Sequence, residues 1–136
     1  MQYSPMENLK EFHDTFTSEQ REDGLASKIN RRGNLIQEEE QEVQEALDFL
    51  DRTDIGLTSS TYEEALIELA KELADLLYVI YGTAEELNIP LQDIFNAVHR
   101  SNMGKIWQDG KVHYNKFGKV IKPPEYRPPD LSFINE

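Results

Sequence analysis

Residues 27 to 51 contain no proline and a single glycine, Gly33, while apolar side chains recur at Ile29, Ile36, Val43, Leu47 and Leu50. That spacing predicts one long helix. After the breaker DRTDIGLTSS, Ser60 or Thr61 offers an N-cap with Glu63 or Glu64 three residues on, a capping box that opens a second long helix running to about Leu87. Two such helices in 136 residues dictate an all-α body in one domain. Residues 5 to 16, with Leu9, Phe12 and Phe16 at helical spacing, predict a short first helix. Asn88 and Pro90 end the long helix, and Pro90 introduces another over residues 91 to 102. Beyond Gly104 the pattern changes. DGKVHYNKFGKVIK alternates around residues 115 to 118 as a small hairpin would, and PPEYRPPD reads as extended. The expected architecture is a four- to five-helix bundle, a single domain with a helical body over residues 5 to 102 and an irregular basic C-terminal segment over residues 103 to 136.

Charge narrows the function. With 38% hydrophobic and 29% charged residues the composition is that of an ordinary soluble globular protein, and the net charge is −12. That argues against binding a DNA or RNA polymer or coating an anionic membrane. The charge is uneven: residues 1 to 99 hold 22 acids against 7 Lys or Arg, and residues 100 to 136 hold 4 acids against 7. An acidic body suited to divalent cations and a basic tail suited to phosphates fit a metal-assisted reaction on a phosphorylated small molecule. The absence of cysteine excludes disulfides, Cys-ligated zinc, iron–sulfur clusters and thiol nucleophiles, leaving oxygen ligands. The N-terminus is not basic and leads into no apolar run, and no window approaches the ~18 apolar residues of a spanning helix. A cytoplasmic location is the expectation.

Helical phase picks out the acids that matter. At about 100° per residue from Glu38, the side chains Leu35, Ile36, Val43, Ala46, Leu47 and Leu50 share one arc, and Glu39 projects into its middle. Glu38, Glu42 and Glu45 cluster at the arc's near edge. On the next long helix Leu66, Leu69, Leu73, Leu76, Leu77, Ile80 and Leu87 form a stripe flanked by Glu72, with Asp75 further round on the side of Glu68 and Val79. Packed antiparallel, the helices would bring Glu39-x-x-Glu42 opposite Glu72-x-x-Asp75. A buried carboxylate without compensation costs several kcal/mol, so Glu39 must be protonated, paired or ligating a metal. Four carboxylates form an all-oxygen cage that selects Mg²⁺, Mn²⁺ or Ca²⁺. An isolated run such as EEEQEVQE is ordinarily a solvated face; the inward phase of Glu39 and the second acid pair argue otherwise here.

The pattern Glu39-x-x-Glu42 followed by Glu72-x-x-Asp75 within KELADLLYVIYG resembles the all-α nucleoside triphosphate pyrophosphohydrolases, the MazG-like group related to phosphoribosyl-ATP pyrophosphohydrolase and the dimeric dUTPases. SNMGK at 101 to 105 and the DGK tail extend the resemblance over residues 25 to 131, with Gly104 replacing the more usual small residue before the Lys. The resemblance implies Mg²⁺ (Mn²⁺ as substitute) held by Glu39, Glu42, Glu72 and Asp75. It also implies a water activated with help from Glu38, nucleotide contacts from Asn102 and Lys105, and a monophosphate and pyrophosphate as products. Water would attack the α-phosphorus of a nucleotide, a dNTP of dGTP, dCTP or dUTP type. Arg100, Lys111, Lys119 and Lys122 are further phosphate candidates, and Arg31 and Arg32 could reach a phosphate from a partner chain. Trp107, Tyr114 or Phe117 could stack on a base. His13-Asp14 matches the dipeptide of the HD phosphohydrolases by chance, because the additional helical His ligands are missing, and His99 is expected to be structural. Wide apolar faces in so short a chain predict a homodimer or a dimer of dimers. Two alternatives are a ferritin-like di-iron protein, which ordinarily needs Glu-x-x-His, and a non-enzymatic acidic helical interaction protein.

Overall fold

The capping signal at Thr61 is realised. In the computed structural model, which describes residues 4–16, 23–56 and 60–135, the Thr61 side chain accepts the Glu64 N–H and starts a 25-residue helix. The elements in chain order are α1 (Pro5–Phe16), α2 (Leu25–Asp54), α3 (Tyr62–Glu86) and α4 (Leu91–Met103). A two-stranded antiparallel hairpin of β1 (His113–Tyr114) and β2 (Val120–Ile121) follows, then a 3₁₀ turn, Ser132–Asn135. Helix α2 begins two residues before the expected start and ends three after the expected stop. Gly33 does not interrupt it: a Cβ there would meet no atom within 4 Å. At the end of α3, Asn88 adopts φ 56, and the Leu87 and Asn88 N–H groups donate to Thr83 O and Glu85 O. Pro90 is the N-cap of α4. Contacts divide the chain into two units after Asn88, so α4 groups with the C-terminal segment and not with the first three helices.

In the first unit α2 and α3 run antiparallel around Val43, Ala46 and Leu69, with Leu50 and Leu76 packed against them. Helix α1 lies on α3, burying Leu9 and setting the Phe12 ring edge-on to Tyr78 at 5.5 Å. The predicted stripe is only partly covered. Leu66, Leu73, Leu77 and Ile80 stay exposed, because the packed face of α3 is narrower than its apolar arc, and Leu47 of the α2 arc is exposed as well.

In the second unit the expected hairpin forms around Asn115. Its Oδ1 accepts the Phe117 and Lys119 N–H groups, and Gly118 takes the left-handed φ of 80° that closes the turn. The Trp107 indole donates to Ile121 O and stacks on His113 at 4.5 Å. The Ser101 hydroxyl accepts from Tyr126 OH and donates to the Arg127 carbonyl, tying the extended segment to α4.

Candidate metal centre

Glu39, Glu42, Glu72 and Asp75 each offer one carboxylate oxygen to a cluster whose atoms all lie within 4.8 Å of one another. Helix α2 supplies the first pair and α3 the second, because i, i+3 spacing keeps each pair on one face. Burial grades across the cluster: Glu72 is 6% exposed, Glu39 and Asp75 are half-buried, and Glu42 is exposed. Glu39 Oε2 and Glu72 Oε2 are both shielded from solvent and without a hydrogen-bond partner. A buried carboxylate oxygen in that condition calls for a cation.

The electrostatics carry the strain of like charges held together. A hydrogen bond with Glu72 and the charge of Glu39 push the Glu42 carboxyl up to about 7. One proton can therefore sit between Glu42 and Glu72 at neutral pH. Burial opposes ionisation of Glu72, but hydrogen bonds with Glu42, Lys71 and Glu68 outweigh it and hold its carboxyl below the usual range. Lys71 Nζ stands 3.2 Å from Glu72 Oε1 and 3.1 Å from Asp75 Oδ2. The Asp75 hydrogen bond, followed by that to Glu72, raises the lysine's own pKa. Beside the cluster a cavity of about 360 Å³ is lined by Glu42, Glu45, Ala46, Phe49, Glu68, Lys71 and Glu72. The donors are all hard oxygens, with no nitrogen or sulfur among them, which suits Mg²⁺ or Mn²⁺ and not zinc or copper.

Glu38 is exposed on α2, next to the cluster in sequence but outside it. Arg100 and Asn102 are exposed on α4, and Lys105 is half-buried just past its end. Lys111 is exposed between Trp107 and β1, and Lys119 is exposed before β2. Arg100, Asn102, Lys105, Lys111 and Lys119, with Trp107, belong to the second unit, and Glu38 to the first. Lys122 sits over the Tyr126 ring at 5.0 Å. Two expectations are corrected. Arg31 and Arg32 are not free for a phosphate: both are paired with Glu86 of their own chain, and Arg31 also with Asp23 at 2.6 Å. His99 is exposed and not packed into the fold. The two side chains of His13-Asp14 go to different partners: His13 Nδ1 contacts Glu85 and its Nε2 lies 3.3 Å from Arg32 Nη2, whereas Asp14 pairs with Lys10. Because a guanidinium can only donate, the Arg32 bond needs a lone pair on Nε2, which places the His13 proton on Nδ1 facing Glu85.

Lys71 is the charged contact of the cluster that sequence reasoning passed over. Its signal was present in KELAD, where it precedes Glu72 and stands four residues before Asp75, the spacing of an i, i+4 ion pair.

An antiparallel helix pair presenting four convergent carboxylates defines an all-α protein of the carboxylate-cage kind. A family model described as Phosphoribosyl-ATP pyrophosphohydrolase matches residues 9–102, more than half of the chain and the whole of the cage. The chain belongs to that family, within the MazG-like all-α superfamily, and is accordingly a nucleotide pyrophosphohydrolase, a hydrolase of acid anhydrides. No curated protein matches the chain.

Proposed function

We propose that the chain hydrolyses a deoxynucleoside triphosphate between its α- and β-phosphates, with Mg²⁺ as cofactor and Mn²⁺ as substitute, releasing nucleoside monophosphate and pyrophosphate. The observation that carries this reading is the pair of shielded, unpartnered oxygens on Glu39 and Glu72 inside a four-carboxylate cluster. Glu39, Glu42, Glu72 and Asp75 would hold the ion. Bound there, it would supply neutralisation of the phosphate charge and a Lewis acid beside the scissile anhydride. Glu38, exposed next to Glu39, takes the proton of the water that attacks the α-phosphorus. Asn102 and Lys105 hold the nucleotide, with Arg100, Lys111 and Lys119 contributing positive charge to its phosphates. Trp107 offers a base the ring face not used against His113. A di-iron reading is disfavoured because the cluster contains no histidine.

A second copy of the chain covers the exposed stripe of Leu66, Leu73, Leu77 and Ile80, giving a dimer or a dimer of dimers. Sedimentation should then show a species of at least twice 15.8 kDa.

The test of the activity is product analysis over a dNTP panel with Mg²⁺. Pyrophosphate and monophosphate in equal amounts are expected, with loss of both under chelation; orthophosphate as the sole inorganic product would contradict the reading. Glu72→Gln should abolish saturable Mg²⁺ binding, and Glu42→Gln should raise the melting temperature of chelated protein at about pH 8, because it makes permanent the neutral form that Glu72 and Glu39 favour there.

A further inference from the structure

The cage is not made of carboxylates alone. Lys71 is the one cation in contact with it among the described residues, bridging Glu72 and Asp75, one from each end of the α3 ligand pair. Its side chain is 62% exposed, so the stem is free to turn outward, whereas the Glu72 side chain it contacts is 7% exposed and fixed in place. The Lys71 ammonium and a divalent ion therefore seek the same two carboxylates, and only the lysine can move away.

We propose that Lys71 is a built-in counter-cation of the cage, which neutralises Glu72 and Asp75 in metal-free protein and must swing out before a divalent ion takes them, so that Lys71 sets the affinity of the site for metal. The inference rests on the reading of the cluster as a metal site. Three observations support it independently of family: the two-carboxylate bridge, the exposure of Lys71 against the burial of Glu72, and the remaining Glu72 oxygen, shielded and unpartnered, which the lysine leaves unsatisfied. Lys71 keeps its charge throughout, held by Asp75 and then Glu72, so the device works by displacement and not by proton loss. A site competent for metal only while the lysine is out binds more weakly in proportion to the fraction of time it is out. For ion pairs made by a lysine as exposed as this one, that factor is about three- to tenfold.

The test is calorimetric titration of Mg²⁺, or Mn²⁺ followed by EPR, into chelator-stripped protein at about pH 8, above the range in which Glu42 holds a proton. Lys71→Met and Lys71→Gln should bind about three- to tenfold more tightly than wild type. Lys116→Met, the same charge change in the second unit, should bind like wild type. Melting in chelator versus saturating Mg²⁺ gives a second reading, and the rise on adding metal should be larger in both Lys71 variants. Unchanged or weaker binding by both, with wild type still saturable, overturns the proposal and leaves the metal site standing. No saturable binding by wild type, or binding untouched by Glu72→Gln, overturns the metal site and the proposal with it.

Discussion

The clasp of Arg31 and Arg32 on Glu86 makes an asymmetric prediction. Arg32 is 6% exposed, donates from Nε to Glu86, and among the described residues has only His13 Nε2 as a further partner. Glu86 is better provided, with Arg31 as a second cation, while Arg31 keeps Asp23 in reserve. Replacing Arg32 by methionine of similar length therefore removes one of two cations from Glu86, at about 1–2 kcal/mol, the scale of one charged hydrogen bond. Replacing Glu86 by methionine strands a buried guanidinium, and an uncompensated buried charge costs about 3–5 kcal/mol. The double variant Arg32→Met, Glu86→Met removes both charges and should recover a large part of the Glu86→Met loss. Urea unfolding at constant slope measures all three, and at roughly 4 °C per kcal/mol the singles should melt about 8 °C apart. Equal losses in the two singles, or a double variant as unstable as their sum, would refute the reasoning, because either result means that Arg32 does not depend on Glu86.

Three further predictions concern other parts of the chain. Glu42 binds its proton more tightly folded than unfolded, so between about pH 4.5 and about 7 its protonation favours the fold, and chelated protein should melt higher at about pH 5.5 than at about 8. Saturating Mg²⁺ should abolish that difference; below pH 4.5 the depressed carboxyl of Glu86, burdened by burial but held down by Arg32 and Arg31, reverses the slope. Gly82→Ala gains about 1 kcal/mol of helix propensity, but its Cβ would stand 2.9 Å from Arg32 Nη1 and 3.3 Å from Leu9 Cδ1. With that guanidinium pinned by Glu86 and His13, overpacking of about 1–3 kcal/mol wins, and differential scanning calorimetry should show a net loss. Ser101→Ala removes the partner of Tyr126 OH and the Arg127 carbonyl, so hydrogen exchange should speed up over residues 123 to 130 while α3 is unaffected.

The cage was legible because helical phase is a local property: once Glu39 falls on the apolar arc and Glu72 flanks a leucine stripe, the four acids can meet in few other ways. The capped start of α3 and the Asn115 turn were legible for the same reason, each being set by side chains within a few residues of the backbone groups they satisfy. The polar clasp was not. His13, Arg32 and Glu85 lie 19 and 72 residues from their partners, and no periodicity distinguishes a buried arginine from a phosphate-seeking one. That some apolar surface would stay uncovered was legible from the width of the faces, but not that Leu73 and Leu77 would be among the exposed side chains, because a sequence stripe does not say which part of it one chain covers.

Clasp and cage are mechanically one device. Along α2 Arg32 precedes Glu39 by about two turns, and along α3 Glu86 follows Asp75 by about three, so the clasp fixes how the two helices slide against each other. The tolerance is small: a slip of one turn is about 5.4 Å, larger than the 4.8 Å span of the four ligand atoms. A core of Val43, Ala46 and Leu69 resists such a slip weakly, since small and aliphatic side chains interdigitate almost as well one turn away. Charged groups at fixed positions do not. Arg32→Met, which keeps Arg31 on Glu86, should leave Mg²⁺ affinity near wild type, whereas Glu86→Met should weaken it though no ligand is touched. Unaltered Mg²⁺ affinity in a folded Glu86→Met protein would show that apolar packing alone holds the register of the cage.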